Sequence, residues 1–130
     1  MSDIPSAKPL PSWAQTAAAE SMPEEKQAGE VIIEEGEVGR MMYVVLSGEV
    51  RVMLGESEGE TMGPGGIVGE MALLDEPIRS ASVVATEDTR LARIGTELFL
   101  RLVREDPAFA LFVMSTLARR LRRMTELLRD

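Results

Sequence analysis

The sequence contains no cysteine and no histidine. The first absence excludes disulfides and thiolate chemistry, and the second removes the side chain most used as a general base and transition-metal ligand. Ser-His and Cys-His nucleophiles and zinc sites are therefore excluded, as is a histidine-ligated metalloenzyme of the cupin type, whose β-roll architecture would otherwise suit the chain. The expectation is a protein that is not an enzyme and carries no cofactor and no metal. Nor is there an apolar run of the ~18 residues that a membrane span requires. The N-terminus, Met1 to Leu10, has neither the basic start nor the apolar stretch of a signal peptide. A cytoplasmic protein without membrane contact is expected.

Aromatic residues are scarce at 4%, but aliphatic residues and methionine bring the hydrophobic content to 45% of 130 residues, enough for one domain with a core. The formal charge of -8 argues against nucleic acid as a partner, because backbone binding is driven by lysine and arginine displacing counterions. The basic run from Arg119 to Arg123 is too short to reverse that balance.

Residues 1–20 read as a proline-containing flexible leader and a short helix near Trp13 to Ala19, with Trp13 as a packing anchor. Residues 21–130 read as one domain, with strands over about 22–94 and helices over about 96–128. Within the first part, short β-runs alternate with glycine-containing turns: Val31 to Ile33, Met41 to Leu46, Val50 to Leu54, Ser82 to Ala85 and Leu91 to Ile94. Ser47-Gly48 reads as the two-residue turn of a hairpin, Gly55 to Gly59 as an acidic turn, and Met62 to Gly66 as a sharp bend before Ile67-Val68. Thr96 is expected to cap one C-terminal helix, and Asp106-Pro107 to cap and open the next.

The chemistry concentrates in residues 69–81. Gly69 lets the backbone approach a ligand, and Met71 to Leu74 can form one helical turn whose free N–H groups face an anion. Arg79 supplies a permanent charge and a planar fork matched to two phosphate oxygens. Glu70 would repel a phosphate, so it fits the same ligand only as an acceptor for sugar hydroxyls. Spacing alone leaves a plainer alternative open, in which Glu70 and Arg79 form a surface ion pair of little worth.

The run Gly-Glu-Met-Ala-Leu-Leu at 69–74, followed by Arg79-Ser80-Ala81, resembles the phosphate-binding cassette of the cyclic nucleotide-binding domain family. The likeness extends over roughly residues 20–130, taking in Gly36 to Gly48 with Tyr43, Gly63 to Gly69 and Leu117 to Leu121. It implies a mainly β fold, an eight-stranded antiparallel, jelly-roll-like β-roll with a short N-terminal helix and two C-terminal helices. It further implies a cyclic mononucleotide ligand, with Glu70 on the ribose 2'-hydroxyl and Arg79 on the exocyclic phosphate oxygens. N–H groups near Gly69, Met71 and Ala72 and that of Ser80, followed by Ala81, would complete the cradle. Val68 departs from the family's usual phenylalanine and alters one wall of the pocket. Ser80 is compatible with cAMP and cGMP, of which cAMP is the favoured expectation. By register with the catabolite activator proteins, Met124 and Thr125 fall near the base, with Arg123 as a rival.

On the last helix Met114, Leu117, Leu121, Met124 and Leu128 recur at spacings of three and four. The stripe reads either as core packed on the β-roll or as the seam of a homodimer. Arg119, Arg120, Arg122 and Arg123 fall on several faces and read as a solvated surface, or else as contacts to a partner or to the base. The activator relatives carry a helix-turn-helix beyond this helix, and no counterpart is expected here. The expectation is a stand-alone receptor whose last helix moves on ligand binding and whose output lies in a dimer contact or a protein effector in trans. The alternative is an interaction or dimerisation module that uses the fold without ligand.

Overall fold

A computed structural model of the chain describes residues 9–128. The start of the leader, residues 1–8, lies outside the described residues. The elements are α1 (Ser12–Glu20), β1 (Glu24–Lys26), β2 (Val31–Ile33), β3 (Met42–Ser47), β4 (Val50–Leu54), β5 (Ser57–Met62), β6 (Ile67–Val68), α2 (Glu70–Leu74), β7 (Ser82–Ala85), β8 (Thr89–Ile94), α3 (Thr96–Glu105) and α4 (Pro107–Leu127). The strands form two antiparallel sheets of four, ordered β1-β8-β3-β6 and β2-β7-β4-β5. The mainly β architecture of eight strands with flanking helices is therefore the one expected.

Successive side chains on a strand point to opposite faces, and this period of two divides the core. Met42 and Val44 of β3, Ile67 of β6 and Ala92 and Ile94 of β8 face a helical layer. Val45, Val68 and Leu91 from the same three strands face the second sheet, where they meet Ile33, Val50, Met62 and Val83. The helical layer is anchored by Trp13, whose ring centroid lies 5.1 Å from that of Phe109 and 5.2 Å from that of Phe112. Ser12 donates a 2.5 Å hydrogen bond to the Asp106 carboxylate, and Arg101 of α3 pairs with Glu20 of α1. The leader helix is thus tied to the junction of α3 and α4.

Several local expectations are corrected. Ser47-Gly48 joins strands that belong to different sheets, so it is a crossing between layers and not a hairpin turn. The true hairpin is the next one, β4 to β5, with Leu54 opposite Ser57 across Gly55-Glu56. Ser57–Met62, whose first part has the composition of a turn, and Glu24–Lys26 are strands whose charged residues sit at sheet edges, where alternation against a core is lost. Gly95, not Thr96, occupies the N-cap position of α3, and no side chain caps that helix. Asp106 does precede Pro107 at the start of α4, but its carboxylate bonds Ser12 and not the helix N–H groups.

The apolar stripe of α4 is not core. Phe109, Val113 and Thr116 face inward, with Leu117 partly buried, while Met114, Leu121, Met124 and Leu128 are exposed.

Candidate functional site

The site is delivered by a turn and a short strand. Gly66 N–H bonds the Gly63 carbonyl at 3.0 Å, closing the Gly63-Pro64-Gly65-Gly66 turn. The chain then enters β6, held beside β3 by the pairs Tyr43↔Val68 and Val44↔Ile67. At Gly69 the backbone turns left-handed (φ 83°), and α2 begins at Glu70. A Cβ at Gly69 would stand 2.9 Å from Arg79 Nη1 and 3.0 Å from the Met41 carbonyl oxygen. The glycine therefore makes room for the arginine as well as for the turn.

Arg79 is carried by a segment zipped to the loop between β2 and β3. Its N–H bonds the Glu37 carbonyl at 2.8 Å, its carbonyl accepts from Gly36 N–H at 2.9 Å, and Gly39 N–H bonds the Pro77 carbonyl at 2.8 Å. Arg79 as a whole is 8% exposed. It donates to the Met41 carbonyl at 2.8 Å and to the Gly69 carbonyl at 3.3 Å. A Cβ at Gly39 would lie 2.8 Å from Nε, so a second glycine admits the side chain. Among the described residues no carboxylate lies within ion-pair distance of Arg79. A buried permanent cation held only by neutral carbonyls is an anion site in electrostatic terms.

Glu70 is 1% exposed, and its partner is not Arg79. One carboxylate oxygen is held by Arg120 of α4, while Oε1 is buried without any hydrogen-bond partner. Burial pushes this carboxyl above its ordinary value of 4.5, opposed by the charge of Arg120. Arg120 also donates to the Ile67 carbonyl at 3.1 Å and lies 3.4 Å from both Met62 Sδ and Glu60 Oε1. The surface ion pair between Glu70 and Arg79 is thereby ruled out. Each group has a separate environment, one short of an anion and the other short of a donor.

The remaining sequence-designated residues divide by place. Ala72 is buried under α2, Met71 is exposed on its outer side, Ser80 is exposed and Ala81 half-buried at the entry to β7. Val68 packs into the core between the sheets. Met124 and Thr125 are exposed on α4, and Arg123 lies 3.7 Å from Glu60, as an exposed side chain. Arg120 was missed as a site residue because four arginines in five positions cover several helix faces. The signal that could have found it is phase: Arg120 follows Phe109, Val113 and Thr116 at spacings of four, three and four, on the buried face. A shallow hollow of about 660 Å³ lined by Lys26, Ser47, Asp88 and Arg90 includes neither Glu70 nor Arg79.

A buried arginine and a buried acid flank a glycine-led turn on a β-roll, one group suited to a phosphate oxygen and the other to a hydroxyl. Residues 23–106 match the family described as the cyclic nucleotide-binding domain, and the chain belongs to that family. It is 43% identical over 99 residues to the cyclic AMP receptor protein of Thermus thermophilus, an alignment covering 72% of this chain and 46% of that protein. It is 34% identical over 104 residues to a cAMP-dependent protein kinase regulatory subunit of Hypocrea atroviridis, covering 79% of this chain and 22% of that one. The chain thus spans less than half the length of these curated relatives. The crystal structure of Thermus thermophilus catabolite activator protein superposes with a TM-score of 0.77 at 36% identity, over 92% of this chain and 58% of that one. No helix among the described residues is long and apolar enough to cross a membrane.

Proposed function

We propose that the chain is a cytoplasmic cyclic mononucleotide receptor, for cAMP in the first place and cGMP in the second, acting without catalysis, metal or cofactor. The observation that carries this reading is the pair of incomplete buried groups, the Glu70 Oε1 that lacks a donor and the Arg79 guanidinium that lacks an anion. A ribose 2'-hydroxyl donates to the first, and the exocyclic phosphate oxygens accept from the second. Backbone N–H groups at Gly69, Met71, Ala72 and Ser80 lie in the same segment and would complete the phosphate contacts, with Ala81 beyond them. Ser80 suits either nucleotide.

In this reading the message leaves through α4. Arg120 joins that helix to Glu70, so a ribose hydroxyl arriving at the same carboxylate changes what Arg120 can hold. Tighter ligand binding to one placement of α4 than to another is then sufficient to shift its position. Met124, Thr125 and Arg123 are the candidates to meet the base once the helix has moved. The exposed stripe of α4 is the proposed homodimer seam, and an effector in trans the proposed recipient. The net charge argues against nucleic acid as a partner.

Titration calorimetry with cAMP and cGMP is expected to give saturable heat for at least one. No heat and no thermal shift with either at about millimolar ligand would sink the reading and leave a ligand-free interaction module in its place.

A further inference from the structure

The outer surface of the cassette segment carries apolar side chains that the fold leaves uncovered. Met71 and Leu74, three residues apart and so on one side of α2, are 49% and 47% exposed. Val38 and Ile78, 77% and 55% exposed, face one another in an isolated antiparallel bridge. The backbone bonds Arg79 N–H to Glu37 and Gly39 N–H to Pro77 lie on either side of them. This makes them the closely spaced type of pair, with side chains standing together on one side. Single exposed apolar residues are ordinary, but two such pairs within residues 71–78 and the loop zipped to them are a concentration of the kind found where partners bind.

The charges beside them indicate the occupant. Glu37, Asp75 and Glu76 are exposed within this stretch, and among the described residues none is within ion-pair distance of a cation. Arg40 is the one exposed cation in the loop 34–40. An acidic partner, or a lipid surface with anionic headgroups, would be repelled here. An uncharged apolar partner would desolvate the carboxylates without pairing them.

We infer that this face docks a cationic amphipathic helix of a partner protein, its apolar side over Val38, Met71, Leu74 and Ile78 and its lysines or arginines opposite Glu37, Asp75 and Glu76. The contact needs no nucleotide, so it can be tested whether or not the cassette reading holds. The probe is a fluorescently labelled synthetic helix of leucine and lysine at heptad spacing, with a counterpart carrying glutamate for lysine. The lysine helix is expected to bind and the glutamate helix not to. Val38→Ser/Ile78→Ser and Glu37→Lys/Asp75→Lys are each expected to weaken binding about tenfold or more. Glu56→Lys/Glu87→Lys, on the turns β4–β5 and β7–β8, changes the net charge equally and is expected to leave binding within about threefold of wild type. All six positions are exposed, so the variants are expected to keep a melting temperature close to that of the wild type. Equal weakening by the turn variant, or full binding by Val38→Ser/Ile78→Ser, would overturn the inference. So would self-association of the wild type that Val38→Ser/Ile78→Ser abolishes, which would assign the face to a second copy of this chain.

Discussion

Arg79 and Glu70 are both buried, but their losses should differ. Arg79→Ala removes the only cation in the cassette and is expected to weaken cyclic nucleotide binding by about 2–4 kcal/mol, against a smaller loss for Glu70→Ala, measured by calorimetry. Unchanged affinity of Arg79→Ala would refute the site. The same Glu70 should leave a mark on stability in the absence of ligand. Its carboxyl titrates above 4.5 in the folded state, so between that pH and its folded value the native protein holds the proton more tightly than the unfolded chain. Stability contributed by this group therefore falls as pH rises through that window and is level beyond it. Thermal melts of Glu70→Gln across the same range should lack this component, and a Glu70→Gln profile parallel to wild type would contradict it. Neither environment was legible in the sequence, because spacing reports which residues are near in the chain and not which are desolvated. The residue types and their order were compatible with a phosphate and a sugar hydroxyl but left a plain ion pair open, which the separate partners of the two groups exclude.

At the level of elements, Arg120 ties α4 to the cassette through Glu70. Arg120→Ala strands the Glu70 charge in a buried place and is expected to destabilise the protein by about 2–4 kcal/mol. Adding Glu70→Gln should recover much of that loss, because a neutral amide needs no counter-charge; a double-mutant cycle from urea melts reads the coupling. Gly48 is the second sensitive point. With φ at 92° and a Cβ that would fall 2.4 Å from the Asp88 carbonyl oxygen, Gly48→Ala is expected to cost more than about 2 kcal/mol. The same turn shows why one connection was misread. Ser47-Gly48 has the length and residue types of a hairpin, but whether two strands pair or part into different sheets depends on partners farther along the chain, here β8 and β6 for β3 and β7 for β4. Strands with an inward face, such as β4 and β7, could be read from alternation, whereas β1 and β5 lie at edges where charge replaces it.

Across the whole molecule, the uncovered stripe on α4 separates stability from assembly. Leu121 and Met124 are 66% and 62% exposed, so Leu121→Glu/Met124→Glu should leave the melting temperature within the range of ordinary surface changes. In the proposed dimer the same pair would abolish association, which sedimentation velocity reads directly. A fall in melting temperature without a change in mass would return the stripe to the core. The proposed movement of the same helix can be followed without any label. Trp13 is the sole tryptophan of the chain, and its indole rests against two phenylalanines of α4. Excited at the red edge, where Tyr43 does not absorb, the unmodified protein emits from a single point on the boundary between the leader helix and α4. A shift in that emission on adding nucleotide would report the displacement in the native chain, in real time, with every residue of the binding site left as it is.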